Sequence, residues 1–193
     1  SVYMTELRWD LDLQSNVDLD RPVLAVAFRG LFDASGAATS ALEWISDYFP
    51  TTKLGHIDPE TFFDFTQERP TVSFGENGGR ELHWPANEIV AVKTPDGQRD
   101  LVVIAGVEPH LRWRTFSAAL AEIAEEIKAE TVTTLGSMIG MTPHTRPLTV
   151  VGSSTNSDLG ERVGVNRPAY QGPTGLVGAL HDTLDKAGIP VLS

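Results

Sequence analysis

Short runs of apolar residues, each bounded by turn-forming residues, recur along the chain. The first is Pro22–Phe28, and a second is Asp100–Ala105, which is followed by Gly106. Apolar runs of this length without alternation are typical of strands that are buried on both faces of a sheet. The β-branched stretch Thr131–Leu135 predicts a third strand, and Leu148–Val151 predicts another.

Stretches with apolar residues at helical spacing lie between these runs. The spacing predicts amphipathic helices over Ala38–Phe49, Trp113–Ile127 and Leu176–Ala187. Gly188 then occupies the position of a helix C-cap. A strand near Lys53–Ile57 follows the first helix, so the order predicts a βαβ unit whose two strands pair in parallel.

The middle of the chain has a different pattern. Three short extended segments, Thr71–Phe74, Glu81–Trp84 and Glu88–Lys93, are separated by turn signals. One of these signals, Glu76–Gly79, contains Asn-Gly-Gly and is a strong hairpin signal. We therefore predict an antiparallel meander, or an antiparallel edge, inside an otherwise α/β pattern.

The domain organisation follows from this pattern. Residues 1–20 are polar and acidic and are predicted to form an N-terminal arm. Residues 21–193 are predicted to form a single α/β domain, because no linker or repeat divides them. The chain ends inside the apolar stretch Ile189–Leu192, which starts a strand. We therefore expect the domain to be truncated at its C-terminal end and the natural protein to continue past Ser193.

Composition narrows the classes of function. The formal net charge is −11, which disfavours partners rich in phosphate such as nucleic acids or anionic membranes. The chain has no cysteine, so disulfides, zinc–thiolate sites and a cysteine nucleophile are excluded. No stretch resembles a transmembrane helix or a signal peptide, and we expect a cytoplasmic protein. The five histidines form no HxxxH or HxH pair, so we expect no metal site. A nucleotide-binding fingerprint is also absent, and we expect no cofactor.

Three loops that follow predicted strands carry the candidate chemistry. If the strands are parallel, these loops emerge at one edge of the sheet, where open α/β sheets bind ligands. Arginine suits anionic groups, and histidine titrates near neutral pH. The alternative is that these groups pair with one another and with loop backbone, and that Glu108 and Arg112 form an ordinary helix-face pair. The candidate pocket residues in these loops are Asp33, Glu108, His110, Arg112, His144 and Arg146.

A further candidate residue, Thr174, lies in the turn Gly172–Gly175 before the last helix. We favour a tight turn and helix cap for this segment, with ligand binding as the alternative. The sequence contains no GxGxxG, no Walker lysine and no G-x-S-x-G, so the catalytic residues, if any, are unknown.

The same loops carry a family resemblance. In order and spacing, a set of short motifs resembles the bacterial branch of the proteasome assembly chaperone 2 family, whose function is unknown. The similarity extends from about Pro22 to Leu192. The motifs are Phe28–Gly30 with Asp33–Ala34 and Ala37–Thr39; Ile57–Glu60 with Phe63–Phe65 and Arg69–Pro70; Glu108–Phe116; Thr134–Gly136; Pro143–Pro147; and Tyr170–Gly175.

The resemblance implies a three-layer α/β/α domain with a mostly parallel sheet, similar in architecture to the purine nucleoside phosphorylases and peptidase-like hydrolases. It also implies self-association, and in archaea and eukaryotes the family assists proteasome assembly. Our first hypothesis is a non-enzymatic, chaperone-like assembly or binding protein that forms a homo-oligomer, for example a trimer, and binds a protein partner. Trp9, Trp44 and Trp113 are candidates for its surface.

The second hypothesis is a small-molecule-binding enzyme of phosphorylase- or hydrolase-like architecture that acts on an anionic substrate. In this hypothesis the polar loops at the strand ends line the pocket. Arginine would neutralise the anion, and a histidine or glutamate would transfer a proton. Only the likeness in fold supports this hypothesis, and a fold does not determine an activity.

Overall fold

The computed structural model describes residues 6–10, 17–95, 98–141 and 143–193. Two short 3₁₀ turns, Ala34–Gly36 and Pro59–Thr61, accompany the regular elements. The strands are β1 (Leu7–Trp9), β2 (Val23–Arg29), β3 (Thr51–Ile57), β4 (Thr71–Phe74), β5 (Arg80–His83), β6 (Asn87–Val92), β7 (Leu101–Val107), β8 (Val132–Thr134) and β9 (Val191–Leu192). The helices are α1 (Ala37–Tyr48), α2 (Trp113–Glu126), α3 (Ser157–Val163) and α4 (Leu176–Lys186).

Seven strands form one mixed sheet in the order β1–β3–β6–β7–β2–β8–β9. The four strands β7, β2, β8 and β9 pair in parallel, whereas β6, β3 and β1 continue the sheet in antiparallel pairs. Five of the seven strands therefore run in the same direction. The predicted α/β fold with a mostly parallel sheet and an antiparallel part is confirmed, and Leu7–Trp9 lies at the edge of the sheet.

The predicted parallel pairing of the first two strands is wrong. β3 pairs with β1 and β6, and both pairings are antiparallel. β7 occupies one side of β2 from Val23↔Leu101 to Arg29↔Val107, and β8 occupies the other side. Both edges of β2 are therefore paired with other strands. Helix α1 crosses over β7, so the chain joins the sheet again at β3, with two strands between it and β2.

The strand predicted at Leu148–Val151 is also wrong. These residues have no regular structure, and the side chains of Leu148, Val150 and Val151 are exposed. Their composition favours a strand, but a strand needs a free edge to pair with. β8, the nearest strand before them in the chain, is already paired with β2 and β9.

The hairpin and the last helix follow the predictions closely. β4 and β5 form a separate antiparallel pair, and Gly78 in the connecting turn has a φ of +72°. Gly188 ends α4 with a φ of +74°, which a residue with a side chain rarely adopts.

The two faces of the sheet are covered unequally. The larger core packs α2 and α4 against one face, and Phe116 of α2 lies at its centre with ring contacts to Phe28 and Phe62. On the other face, α1 packs mainly against β2 and β7 through small residues such as Ala25 and Ala27. The part of this face over β3 and β6 lies outside the main contacts of α1, and clefts form there.

Asn87 joins the antiparallel and parallel parts of the sheet. Its side chain is fully buried, and its amide donates to the carbonyl oxygen of Val107 at 3.1 Å while accepting from the Val107 N–H at 3.0 Å. Gly106 leaves the space for this amide, because a Cβ at that position would overlap Asn87 Oδ1. The amide therefore takes the place of a backbone pair where the β6–β7 register ends.

Candidate functional site

Asp33 connects the loop after β2 to the loop after β8. Its buried carboxylate accepts from the Ala38 N–H at 2.7 Å, from the Thr39 hydroxyl at 2.6 Å and N–H at 3.3 Å, and from the Ser137 hydroxyl at 2.9 Å. Burial acts to raise the pKa of Asp33, but these hydrogen bonds outweigh it and lower the pKa. Both carboxylate oxygens are thus engaged in holding the start of α1.

Glu108 and His110 lie in the loop after β7 and face different neighbours. The carboxylate of Glu108 packs against Gly30, where an added Cβ would come within 2.9 Å of its Oε2. Burial raises the pKa of Glu108, and the nearby His110 partly opposes this. His110 Nδ1 accepts from the Asp64 N–H at 3.0 Å, and its ring meets Phe63 edge-on.

The other predicted residues lie at the surface. Arg112 precedes α2 with a φ of +56°, His144 and Arg146 are exposed in the loop before Leu148, and Thr174 packs against Gly178 at the start of α4. Within the described ranges, no side-chain hydrogen bond or ion pair joins these four residues to Asp33, Glu108 or His110. A pocket built from the whole set therefore remains a prediction.

A cleft of about 430 Å³ lies at the carboxyl ends of β2 and β7, on the face that α1 covers. Arg29, the last residue of β2, lines it and lies 3.9 Å from Glu68. Arg69, His83 and Glu43 are among its other polar lining residues. We predict ligand binding at this edge of the sheet, but the predicted residues do not include the ones that line this cleft. The one available signal was that a charged residue, Arg29, ends an apolar strand.

A second cleft of about 330 Å³ adjoins the first, and the two share Trp84, Ala86 and Glu88. Lys53 lines the second cleft and pairs with Glu88 at 3.3 Å. In the described part of the chain, no group of three or more histidine, aspartate or glutamate side chains is placed so that it could hold a metal ion.

The β4–β5 hairpin carries an exposed apolar surface. Val72 lies opposite Leu82, and Phe74 lies opposite Arg80, so these four side chains share one face, which we call the hairpin face. All three apolar members are exposed, and Phe74 is 73% exposed. The opposite face is polar, and Ser73 and His83 form a hydrogen bond of 2.6 Å there.

Helix α1 carries a second exposed apolar surface. Trp44 is 62% exposed and Tyr48 is 68% exposed, and their rings stack with centroids 5.1 Å apart. We call these two rings, with the neighbouring acidic Asp47, the α1 face. Of the tryptophans predicted for the surface, Trp44 is exposed, whereas Trp113 is half-buried and donates its indole N–H to Pro109.

Sequence comparison agrees with this architecture. The profile of the PAC2 family matches residues 27–193. The chain belongs to the PAC2 family. The predicted resemblance to the proteasome assembly chaperone 2 family is therefore confirmed.

Solved structures of PAC2 proteins superimpose on the chain. A PAC2 family protein from Streptomyces avermitilis is 37% identical, with a TM-score of 0.84 over 89% of this chain and 73% of that one. A proteasome-assembly chaperone homologue from Mycobacterium tuberculosis is 35% identical, with a TM-score of 0.78 over 88% of this chain and 72% of that one.

A more distant structure shares the fold alone. The archaeal homologue of proteasome-assembly chaperones from Pyrococcus furiosus is 15% identical, with a TM-score of 0.61 over 91% of this chain and 71% of that one. Among proteins of curated function, none shows significant sequence similarity to the chain. In the ranges described, no helix is long and apolar enough to cross a membrane.

Proposed function

We propose that this PAC2 protein acts in the cytoplasm as a non-enzymatic, chaperone-like assembly protein that binds other polypeptides and forms a homo-oligomer, for example a trimer. The observation that carries this proposal is the hairpin face. Val72, Phe74 and Leu82 form a contiguous apolar surface on an element that stands outside the main sheet. The names of the relatives, which include proteasome-assembly chaperone homologues, support the same class of function.

The physical argument concerns the stability of the hairpin. An isolated two-stranded hairpin is only marginally stable in water, and it needs packing on one face to be well ordered. Exposed apolar side chains on a two-stranded element also favour nonspecific association with other protein chains. A marginally stable hairpin with exposed apolar side chains is best explained as a surface that a protein partner covers. Aromatic residues contribute much of the binding energy in such contacts.

Two of the polar loop residues, Asp33 and His110, support a structural role for their loops. A general base or a nucleophile needs a free lone pair directed at a substrate. Both oxygens of Asp33 accept hydrogen bonds from α1 or Ser137, and His110 Nδ1 accepts from the backbone N–H of Asp64. These groups are engaged in fixing loop conformation.

Replacing Phe74 by glutamate should remove partner binding while leaving the fold intact, because the residue is exposed and no core packing is lost. We expect recovery of partner proteins, measured by quantitative mass spectrometry on affinity-captured full-length protein, to fall at least about tenfold. Arg114→Glu is the matched control, since it adds a carboxylate on α2, on the opposite face of the sheet. Equal recovery by the wild type and both variants would contradict the proposal.

The cleft at the carboxyl ends of β2 and β7 supports a second candidate function, an enzyme or binder that acts on a small anionic molecule. Arg29 and Arg69 both line this cleft, and arginine suits carboxylate and phosphate groups. A thermal-shift screen with phosphate, nucleosides and acidic metabolites tests this candidate, because a ligand at 100 times its Kd should add about 2.7 kcal/mol of stability. No shift, or an equal shift in Arg29→Ala, would count against it.

A further inference from the structure

We infer that the hairpin face of one copy packs on the α1 face of a second copy of this chain. This inference rests on the proposed function and identifies one partner of the same surface. The two faces are complementary in apolar character, in charge and in size. Each copy carries both, so a pure sample of the protein contains everything that the contact requires.

The charges of the two faces are opposite. Arg80 shares the hairpin face with Phe74. The residues of α1 include the acidic Glu43 and Asp47 but no basic residue. In the part of the chain that the structure describes, none of these three charged side chains forms an ion pair. Arg80 of one copy can therefore approach the acidic edge of α1 in another, where the attraction fixes the register of the contact.

The apolar parts of the two faces fit in size. Four residues of a strand extend about 13 Å, and the eleven steps from Ala37 to Tyr48 extend about 17 Å along the helix. Ala37, Ser40 and Ala41 are exposed on the same side of α1 as Trp44. These small residues leave room for the side chains of the hairpin face, beside the stacked rings of Trp44 and Tyr48.

The polar face of the hairpin, and not the hairpin face, is turned towards α1 of the same chain. The contact therefore forms between two copies. Thr71 and His83, which belong to the polar face, line the same cleft as Glu43 of α1. The hairpin face points away from that cleft. Since the contact joins two different surfaces, it repeats reciprocally in a dimer, around a closed ring or along an open filament.

A charge-reversal cycle tests the inference by sedimentation velocity between about 1 and 100 µM protein. We expect the wild type to self-associate and Arg80→Glu to raise the dissociation constant at least about tenfold. Combining Arg80→Glu with Asp47→Arg in one chain should restore the dissociation constant to within about threefold of the wild type. The control pair, Arg114→Glu and Asp185→Arg, makes the same changes on α2 and α4 and should change nothing.

A wild type that stays monomeric over this range would overturn the inference. It would also be overturned if Arg80→Glu and the control pair changed the dissociation constant of self-association by the same factor. Far-UV circular dichroism and the thermal midpoint of each variant show that the fold is retained. If the wild type is monomeric but Phe74→Glu still abolishes the capture of another protein, the proposed binding of other polypeptides stands, whereas the proposed homo-oligomer and this inference fall. If the protein self-associates through the expected faces but Phe74→Glu captures other proteins as well as the wild type does, this inference stands and the proposed binding of other polypeptides through the hairpin face falls.

Discussion

Asp33→Ala should lower the free energy of unfolding by about 3 kcal/mol, the larger of two effects that the structure predicts for single substitutions. The carboxylate accepts four hydrogen bonds, two from backbone N–H groups at the start of α1 and two from hydroxyl groups. Alanine leaves the N–H groups of Ala38 and Thr39 without their acceptor. It also removes the link from Asp33 to Ser137, so the loop after β8 should loosen.

Urea unfolding followed by circular dichroism measures this loss, and Asp185→Ala is the control. Asp185 is an exposed aspartate of α4, and its replacement should cost no more than about 0.5 kcal/mol. Equal losses in the two variants would contradict the role of Asp33 as an anchor for α1.

The contribution of Asp33 should also depend on pH. Its folded-state pKa is lowered by the hydrogen bonds that it accepts. A lowered pKa means that the unfolded chain binds the proton more readily, so the stabilisation is complete above about pH 4, the ordinary range of an aspartate. It is lost as the pH falls through the folded-state pKa. The difference in stability between the wild type and Asp33→Ala should therefore shrink in acid.

Asn87→Ala should destabilise the protein by about 2 to 3 kcal/mol. The substitution removes both hydrogen bonds to Val107 and leaves a buried N–H and a buried carbonyl without partners. It also opens a small void beside Gly106. Urea unfolding measures the loss, and amide exchange at Val107 should accelerate more than at the centre of β7.

Asn77→Ala serves as the control for this substitution, because Asn77 lies in the exposed turn of the hairpin. Its loss should stay within about 0.5 kcal/mol. Unchanged exchange at Val107 in Asn87→Ala would show that the amide does not join β6 to β7 in solution.

Local patterns in the sequence predict most elements, but not the order in which the strands pair in the seven-stranded sheet. The helical spacing in Trp113–Ile127 and the hairpin signal at Glu76–Gly79 depend only on neighbouring residues, and both predictions hold. The place of β3 depends on which strand takes the edge of β2, and that competition involves β7, which is distant in sequence. The strand predicted at Leu148–Val151 does not form for the same reason. Its composition favours a strand, but both edges of β8 are already paired.

The candidate site shows the same limit at the level of side chains. The rule that ligands bind at the carboxyl ends of parallel strands leads to the edge of the sheet where the larger cleft and Asp33 lie. The rule does not say where a carboxylate points, and Asp33 points at the start of α1. The turn signal at Glu76–Gly79 predicts the β4–β5 hairpin. Only the three-dimensional arrangement shows that one of its sides is apolar and exposed.

The central claim is that the hairpin face binds protein. Its most direct test places a photo-activated crosslinking side chain at position 74 of the full-length protein in cells, with the same group at position 114 as the control. We expect covalent adducts with protein at position 74, a second copy of the chain among them, and only background at position 114. Equal labelling at the two positions, or no protein adduct at position 74, would contradict it.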